Sequence, residues 1–273
     1  MPKPAAPDSP DACETARATG TAAFSKFMSV LQLIADAAEP QTIAQLATLS
    51  GYPRPTTYRI VGALIAEGLV SESLRGGTVE LGPRLLSLAS RSWERSDLRV
   101  AAIDALQALR DATQETVHLA VRSGSEMVYI EKLESPHAVR MASRIGTRVT
   151  LYSSSVGKAY LAALDAPSRE ALLQGQTFQR FTPNTIVERE ALSVELEATG
   201  ARGYAEDREE NEAQIFCYGC AITGADGRPV ACISVSIPLF RKSETPLETY
   251  VMPLRAACDA VAARIAPIPR GAV

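Results

Sequence analysis

The chain has a single tryptophan, Trp93, and two histidines, His118 and His137, and aromatic residues make up only 5% of it. Two histidines so far apart supply no histidine-rich metal cluster. No uncharged run is longer than the 14 residues from Pro40 to Pro53. A membrane-spanning helix takes about 20 apolar residues, so none is expected. Five cysteines, Cys13, Cys217, Cys220, Cys232 and Cys258, are irregularly spaced and odd in number. That pattern argues against a disulfide framework and for a reduced, cytoplasmic setting. Charge of neither sign dominates, the formal net charge being −3. Residues 51–95 hold six arginines against four glutamates, an excess of two. That balance argues mildly against nucleic-acid binding, yet it is compatible with a small basic surface on one helix, doubled in a dimer.

The rest of the composition, 46% hydrophobic and 22% charged, is that of a soluble globular protein. Its 273 residues suggest two domains at roughly 150 residues each. Residues 1–20 contain no apolar segment of the signal-peptide kind and read as a disordered tail.

The stretch from Thr42 to Val70 organises the rest. Thr42 is a natural N-cap, and Gln45 three residues on completes a capping box. Ile43, Leu46 and Ala47 follow as a short apolar face. Gly51 after Ser50 ends that helix in the left-handed conformation, and Pro53 suits the first position of the next. There Thr57, Ile60, Val61 and Leu64 recur at i, i+3, i+4 and i+7 on one face. The other face carries Pro55, Arg59 and Gly62, with Thr56 and Tyr58 at its margins and Arg54 at the helix start. Two short helices about a tight glycine turn make a helix-turn-helix, whose second helix enters a DNA major groove. Arg54, Thr56, Tyr58 and Arg59 supply the donors such a groove requires near the helix N-terminus. After Gly68, residues 69–72 and 78–81 read as a hairpin around Arg75-Gly76-Gly77, the place of a wing. An ordinary helical hairpin in a core is the competing reading of the helix pair alone. The Gly-Gly hairpin directly behind it favours the winged motif.

Upstream, Phe24, Phe27, Leu31 and Ile34 are spaced to pack on both helices. Downstream, Pro83 opens a helix with Leu85, Leu88, Ala89 and Trp93 on one side, where Trp93 is either core or a dimer contact. Another helix runs from Asp97 to Thr113. In the second domain Val117, Leu119 and Val121 alternate with His118, Ala120 and Arg122, as in a half-buried strand. Residues 127–130 return from a turn at 123–126. Arg148 to Tyr152 is a further strand, running into a helix after Ser153-Ser154-Ser155. Helices follow at about 168–174 and 188–200, then strands at 214–223 and 229–237. Thr245 to Glu248 reads as a capping box for the last helix, with Pro253 kinking or restarting it.

The run GYPRPTTYRIVGALIAEGLV followed by LGPRLLSLA resembles the DNA-binding domain of the IclR family of bacterial transcriptional regulators. The resemblance continues through ETVHLAVRSGSEMVYIEKLESPHAVRMASRIGTRVTLYSSSVGKAYLAAL and returns in GYAEDREENE and DGRPVACISVSIP, covering nearly everything from Phe24 to the last helix. It implies an α+β chain: a winged helix-turn-helix over 21–82, a linker helix over 83–97, and a GAF-like effector-binding domain over 98–273. The expected sheet is antiparallel with helices on either side. The resemblance also implies a repressor rather than an activator, acting on neighbouring catabolic genes. The partner would be a double-stranded DNA operator, bound by a homodimer or a dimer of dimers through Arg54, Pro55, Thr56, Tyr58, Arg59 and Arg75.

Ser154 and Ser155 precede a helix whose first N–H groups lack partners, a natural cradle for a carboxylate. Ser234 and Ser236, two apart, share a strand face with Cys217 in reach. In the family these positions, with Asp207, line the ligand site. Asp207 repels a dianion and accepts from a hydroxyl, hydrate or protonated group, so the effector expected is a small polar monocarboxylate, a 2-oxo or hydroxy acid.

Three other chemistries compete. Ser155-Val156-Gly157-Lys158 matches the Ser-x-x-Lys nucleophile pattern, the basis of an alternative serine-hydrolase reading with Lys158 as proton acceptor. The companion Ser-Asp-Asn and Lys-Thr-Gly motifs are absent, and serine caps before a helix with a surface lysine explain the pattern. Cys217 and Cys220, three apart on a strand, face opposite ways and suit buried thiols better than a metal or redox pair. Asp207, Glu209, Glu210 and Glu212 read as a solvated loop rim rather than paired catalytic carboxylates. No cofactor and no metal ligand set is read from the chain.

Overall fold

The computed structural model describes residues 21–73, 76–94, 96–139 and 141–265, and of Thr21 and residues 92–94 the backbone alone. The expected tail, Arg75 and the Trp93 side chain lie outside the described residues. The chain divides into two compact units after residue 95.

The first unit runs α1 (Thr21–Asp36), α2 (Ile43–Ser50), α3 (Arg54–Ala66), β1 (Val70–Glu72), β2 (Val79–Leu81) and α4 (Pro83–Glu94). The capping box forms as its residues dictate: the Thr42 side chain accepts from the Gln45 N–H, and the Thr42 N–H bonds the Gln45 side chain at 2.8 Å. Gly51 ends α2 at φ 69°, a backbone conformation that suits glycine. Pro53 is the N-cap of α3 rather than its first helical residue. Its extended backbone lies outside the helix while its carbonyl accepts the Thr57 N–H at 3.0 Å. Pro55 instead takes the first-turn place where a missing N–H has no consequence.

Val30, Leu31, Ile34, Leu46, Ile60, Val61, Leu64, Val70 and Val79 close one core, with Phe27 and Leu85 packed against it. Phe24 does not join them. It lies one turn ahead of the stripe that begins at Phe27 and is 65% exposed. β1 and β2 form the antiparallel wing, extended by a bridge between Gln41 and Val79. Among the described side chains of α4, Leu85 packs against the core, while Leu86 and Leu88 are exposed.

The second unit comprises α5 (Asp97–Thr113), β3 (Thr116–Ser123), β4 (Glu126–Leu133), β5 (Arg148–Thr150), α6 (Ser155–Ala162), α7 (Ala166–Leu173), α8 (Arg189–Arg202), β6 (Ala205–Arg208), β7 (Ile215–Thr223), β8 (Pro229–Pro238) and α9 (Met252–Ile265). Its strands pair antiparallel in the order β5-β4-β3-β8-β7-β6. α5 and α9 cover one face through Leu106, Leu109, Leu254 and Val261. α6 and α8 cover the other through Val156, Leu161, Leu192 and Leu196. With both faces covered, β3 is buried continuously from Thr116 to Ala120, not half-buried in alternation. His118 is therefore inside the protein.

β5 is shorter than expected because Thr150 turns the chain, its Oγ1 accepting the Ser153 N–H at 3.1 Å. α7 starts at Ala166 because Asp165 caps it, accepting the Ser168 N–H at 2.7 Å. The last helix begins differently. No side-chain cap forms, and Leu247–Val251 make a π-helical turn in which the Met252 N–H bonds the Leu247 carbonyl. The widened turn precedes Pro253, whose ring and missing N–H would disrupt a regular one. Among the described residues no helix is long and apolar enough to cross a membrane.

Candidate functional site

On α3 the buried residues are Thr57, Ile60, Val61 and Leu64. Arg54, Pro55, Tyr58 and Arg59 are exposed, with Thr56 half-buried beside them. No ion pair occupies Arg54 or Arg59 among the described residues. A helix anchored by its apolar stripe thus offers two free guanidinium groups, a phenol and a threonine at its N-terminal half. These donors suit phosphates and base edges.

In the second unit a cavity of about 240 Å³ opens over the face of β3, β7 and β8 that α6 covers. Ser154, Ser155, Asp207, Cys217 and Ser236 line it together with His118, Tyr129, Ser143 and Asn211. A larger, more open groove of about 620 Å³ runs past Arg122, Tyr152 and Gln176. The smaller cavity is the better site because buried polar groups converge on it.

Ser154 is the N-cap of α6. Its hydroxyl donates to the Thr150 carbonyl at 2.7 Å and accepts the Gly157 N–H at 3.1 Å. The N–H groups of Ser155 and Val156 lack intrahelical acceptors by helix geometry. This end of α6 can sit on the sheet because β7 has Gly219 beneath it. A Cβ there would stand 2.6 Å from the Ser155 carbonyl.

A chain of hydrogen bonds crosses the floor. Cys217 Sγ donates to Ser236 Oγ at 3.2 Å, Ser236 Oγ is 3.4 Å from His118 Nδ1, and His118 Nε2 is 2.7 Å from Ser143 Oγ. The His118 ring stacks on Tyr129 with centroids 4.2 Å apart. Burial, reinforced by Lys132, lowers the His118 pKa from 6.5 to about 3, so the imidazole is neutral. Burial also raises the Tyr129 phenol and the Cys217 thiol, and both stay protonated.

Asp207 closes the cavity from β6. Its Oδ1 accepts the N–H groups of Glu210 at 2.7 Å and Asn211 at 3.3 Å. Burial and then the neighbouring Glu210 push its pKa up to about 7. The acidic run is therefore not a solvated rim: Asp207 and Glu210 are buried, and only Glu212 is exposed. Alternation along β6 turns Asp207 inward with Ala205, and beyond the strand the left-handed backbone of Glu209, at φ 60°, breaks that alternation before the buried Glu210.

Lys158 also departs from the surface position expected of it. It is fully buried, and its ammonium is ion-paired with Glu210 and 3.9 Å from Glu195. An ammonium held by a carboxylate is no proton acceptor for Ser155, so the geometry gives the serine-hydrolase reading no base. Among the described residues no group of three or more His, Cys, Asp and Glu is placed to hold a metal ion. Cys217 and Cys220 do face opposite ways, Cys220 lying in the α5–α9 core.

Five of the six expected effector residues line one cavity. The sixth, Ser234, is buried across from Gly219 and His118 but does not line it, and its hydroxyl finds no partner among the described residues. His118, Tyr129 and Ser143 were not anticipated as site residues. The small apolar Ala120, two residues on along β3, was the available hint that this face is covered.

An exposed cationic recognition helix joined to an α+β unit with a small polar cavity defines a DNA-binding regulator with a sensor domain. Comparison with known proteins gives the family. Residues 24–73 match the profile of the IclR helix-turn-helix domain, and residues 91–263 that of the bacterial transcriptional regulator IclR C-terminal domain. The chain is 32% identical over 240 residues to the HTH-type transcriptional regulator KdgR of Escherichia coli (strain K12), covering 88% of this chain and 91% of that protein. It is 28% identical over 235 residues to the HTH-type transcriptional repressor AllR of the same strain, covering 86% and 87%. The Thermotoga maritima IclR structure superposes with a TM-score of 0.70 at 30% identity, covering 90% of this chain and 99% of that one. An IclR homolog from Microbacterium hydrocarbonoxydans complexed with 4-hydroxybenzoate gives 0.75 at 26% identity, covering 89% and 98%. The chain belongs to the IclR family of bacterial transcriptional regulators.

Proposed function

We propose that this regulator represses a catabolic operon by binding its operator as a dimer or dimer of dimers, and that a small monocarboxylate in the cavity of the second unit modulates that binding. The observation that carries the DNA half is the division of α3 into a buried Thr57–Ile60–Val61–Leu64 stripe and an exposed face with Arg54, Tyr58 and Arg59. Pro55, Thr56 and Arg75 complete the proposed contact set. One recognition helix per chain makes too few base contacts for tight binding, which favours a two-fold site. α4 is the proposed linker and dimer contact.

For the effector half, the α6 N-terminus offers the carboxylate its free N–H groups and Ser155, while Cys217, Ser236 and His118 supply neutral polar partners for an oxo or hydroxyl group. A relative that binds 4-hydroxybenzoate, itself a hydroxylated monocarboxylate, supports this class. Gel-shift titration with DNA from upstream of the neighbouring genes tests the DNA half. Arg59→Ala should weaken specific binding about tenfold or more, as loss of a base-reading arginine does, with an unchanged circular dichroism spectrum. Equal binding of both proteins to every fragment would remove α3 from the role.

A further inference from the structure

The cavity lacks something that a carboxylate ordinarily needs. Among the described residues its wall contains no lysine and no arginine, and it does contain Asp207 and, at the rim, Glu212. Among the described residues, the cations packed behind the cavity are committed elsewhere. The Lys158 ammonium is held by Glu210 and lies near Glu195, and Arg202 bonds Glu195 at 2.7 Å. Arg208 pairs with Glu206, while Lys132 donates to the carbonyls of Met141 and Ser143 behind the wall. The cluster, buried at Asp207, Glu210 and Lys158 and half-buried at Glu195 and Arg202, thus sets three carboxylates against two cations. Glu210 is already short of partners, its Oε2 finding no hydrogen bond among the described residues. A ligand carboxylate, met by the α6 N–H groups but by no full positive charge, would add a second negative charge beside Asp207. Two carboxylates sharing one small site raise each other's affinity for a proton.

Resting on the carboxylate reading above, we propose that the effector binds together with a proton, which is held by Asp207. The proton comes from solvent and resides on Oδ2, since Oδ1 already accepts two backbone N–H groups. Protonated Asp207 then donates to an oxygen of the ligand, turning a repulsion into a charge-assisted hydrogen bond. Of the other titratable groups around the cavity, Glu212 is exposed at the rim, and those buried with Asp207 do not compete for this proton. His118 is too weak a base, Tyr129 and Cys217 already carry their own protons, and Glu210 is bound by Lys158. Burial and Glu210 have brought Asp207 to the edge of protonation near neutral pH in the empty cavity. The site consequently selects monocarboxylates, because a second carboxylate would require a second proton.

Calorimetry on the full chain tests this with pyruvate, lactate and 4-hydroxybenzoate as probes, and lactamide as a neutral control. Titrations at pH 5.5, 7 and 8.5, in buffers of different ionisation enthalpy, report both Kd and protons taken up. The expected result is uptake approaching one proton per acid at pH 8.5 and none at pH 5.5. The acid's Kd should rise about tenfold per pH unit above 7, while lactamide shows neither effect. Asp207→Asn keeps the shape, accepts the same N–H groups and donates permanently, so it should bind the acids with a Kd independent of pH. Acid binding without uptake at pH 8.5 would overturn the proton coupling and leave the effector class standing. So would uptake that persists in Asp207→Asn, or loss of acid binding by a folded Asp207→Asn protein. If no acid binds the unaltered protein at any of these pH values, the carboxylate reading fails and the proton coupling with it.

Discussion

His118 and Asp207 sit in the same cavity and respond to pH in opposite directions. The folded protein holds His118 neutral down to about pH 3, whereas the unfolded chain protonates it near 6.5. Its contribution is complete above about pH 6.5 and is lost as pH falls towards 3, an effect on the order of a few kcal/mol. Asp207 is raised from 3.8 to about 7. Its contribution is complete below about pH 4 and is lost as pH rises through 7. Thermal melts followed by circular dichroism should therefore find Asp207→Asn more stable than the unaltered protein at pH 8 and equal to it at pH 4. His118→Gln should flatten the acid side of the profile, and parallel profiles for all three proteins would contradict both assignments. At this scale Ser154 and Ser155 were legible because short polar residues stood at a helix cap, and Ser236 because it stood in phase on a strand. The same phase also named Ser234, which does not line the cavity, and Asp207 came from the family resemblance alone. His118 and Lys158 were not legible. Alternation along β3 places His118 on a face that local sequence leaves open to solvent, and a lysine on a short helix reads as solvated. Only the packing of α6 and α8 over that face buries both.

Elements with local causes were the ones read correctly. The α2–turn–α3 unit needs a capping box, one left-handed glycine and one apolar stripe, all within 23 residues from Thr42 to Leu64. The start of α9 depends instead on how the chain enters Pro253 from the loop before it, and the capping-box pattern at Thr245 misled. The contact of α6 with β7 is likewise a tertiary matter. Gly219 permits it, and Gly219→Ala would drive a methyl group to 2.6 Å from the Ser155 backbone. Backbone atoms cannot yield there as a side chain would, so a cost of about 1–3 kcal/mol is expected. Urea denaturation should register that loss, and acid binding should weaken because the helix end is displaced. Full stability together with full acid affinity would mean that the α6 N-terminus is not part of the site. The loop carrying Glu210 is held from the other side, its carbonyl accepting from Thr185 Oγ1 at 2.7 Å.

For the whole molecule, α4 presents Leu86 and Leu88 to solvent in the single chain. Apolar side chains left open on a helix behind a DNA-binding unit mark the proposed dimer contact. Leu88→Glu should lower the dimer fraction in sedimentation velocity at micromolar protein and weaken operator binding in proportion. An undiminished dimer would move the contact away from this helix. The central claim joins the two units: occupancy of the cavity changes the affinity of α3 for its operator. Fluorescence anisotropy of a labelled operator, titrated with the full chain with and without a saturating acid of the pyruvate, lactate and 4-hydroxybenzoate set, measures this directly. The account predicts that one of these acids shifts half-saturation severalfold, and that the shift disappears when Ser155 and Asp207 are both replaced by alanine. Superimposed isotherms, with an acid known from calorimetry to be bound, would contradict it.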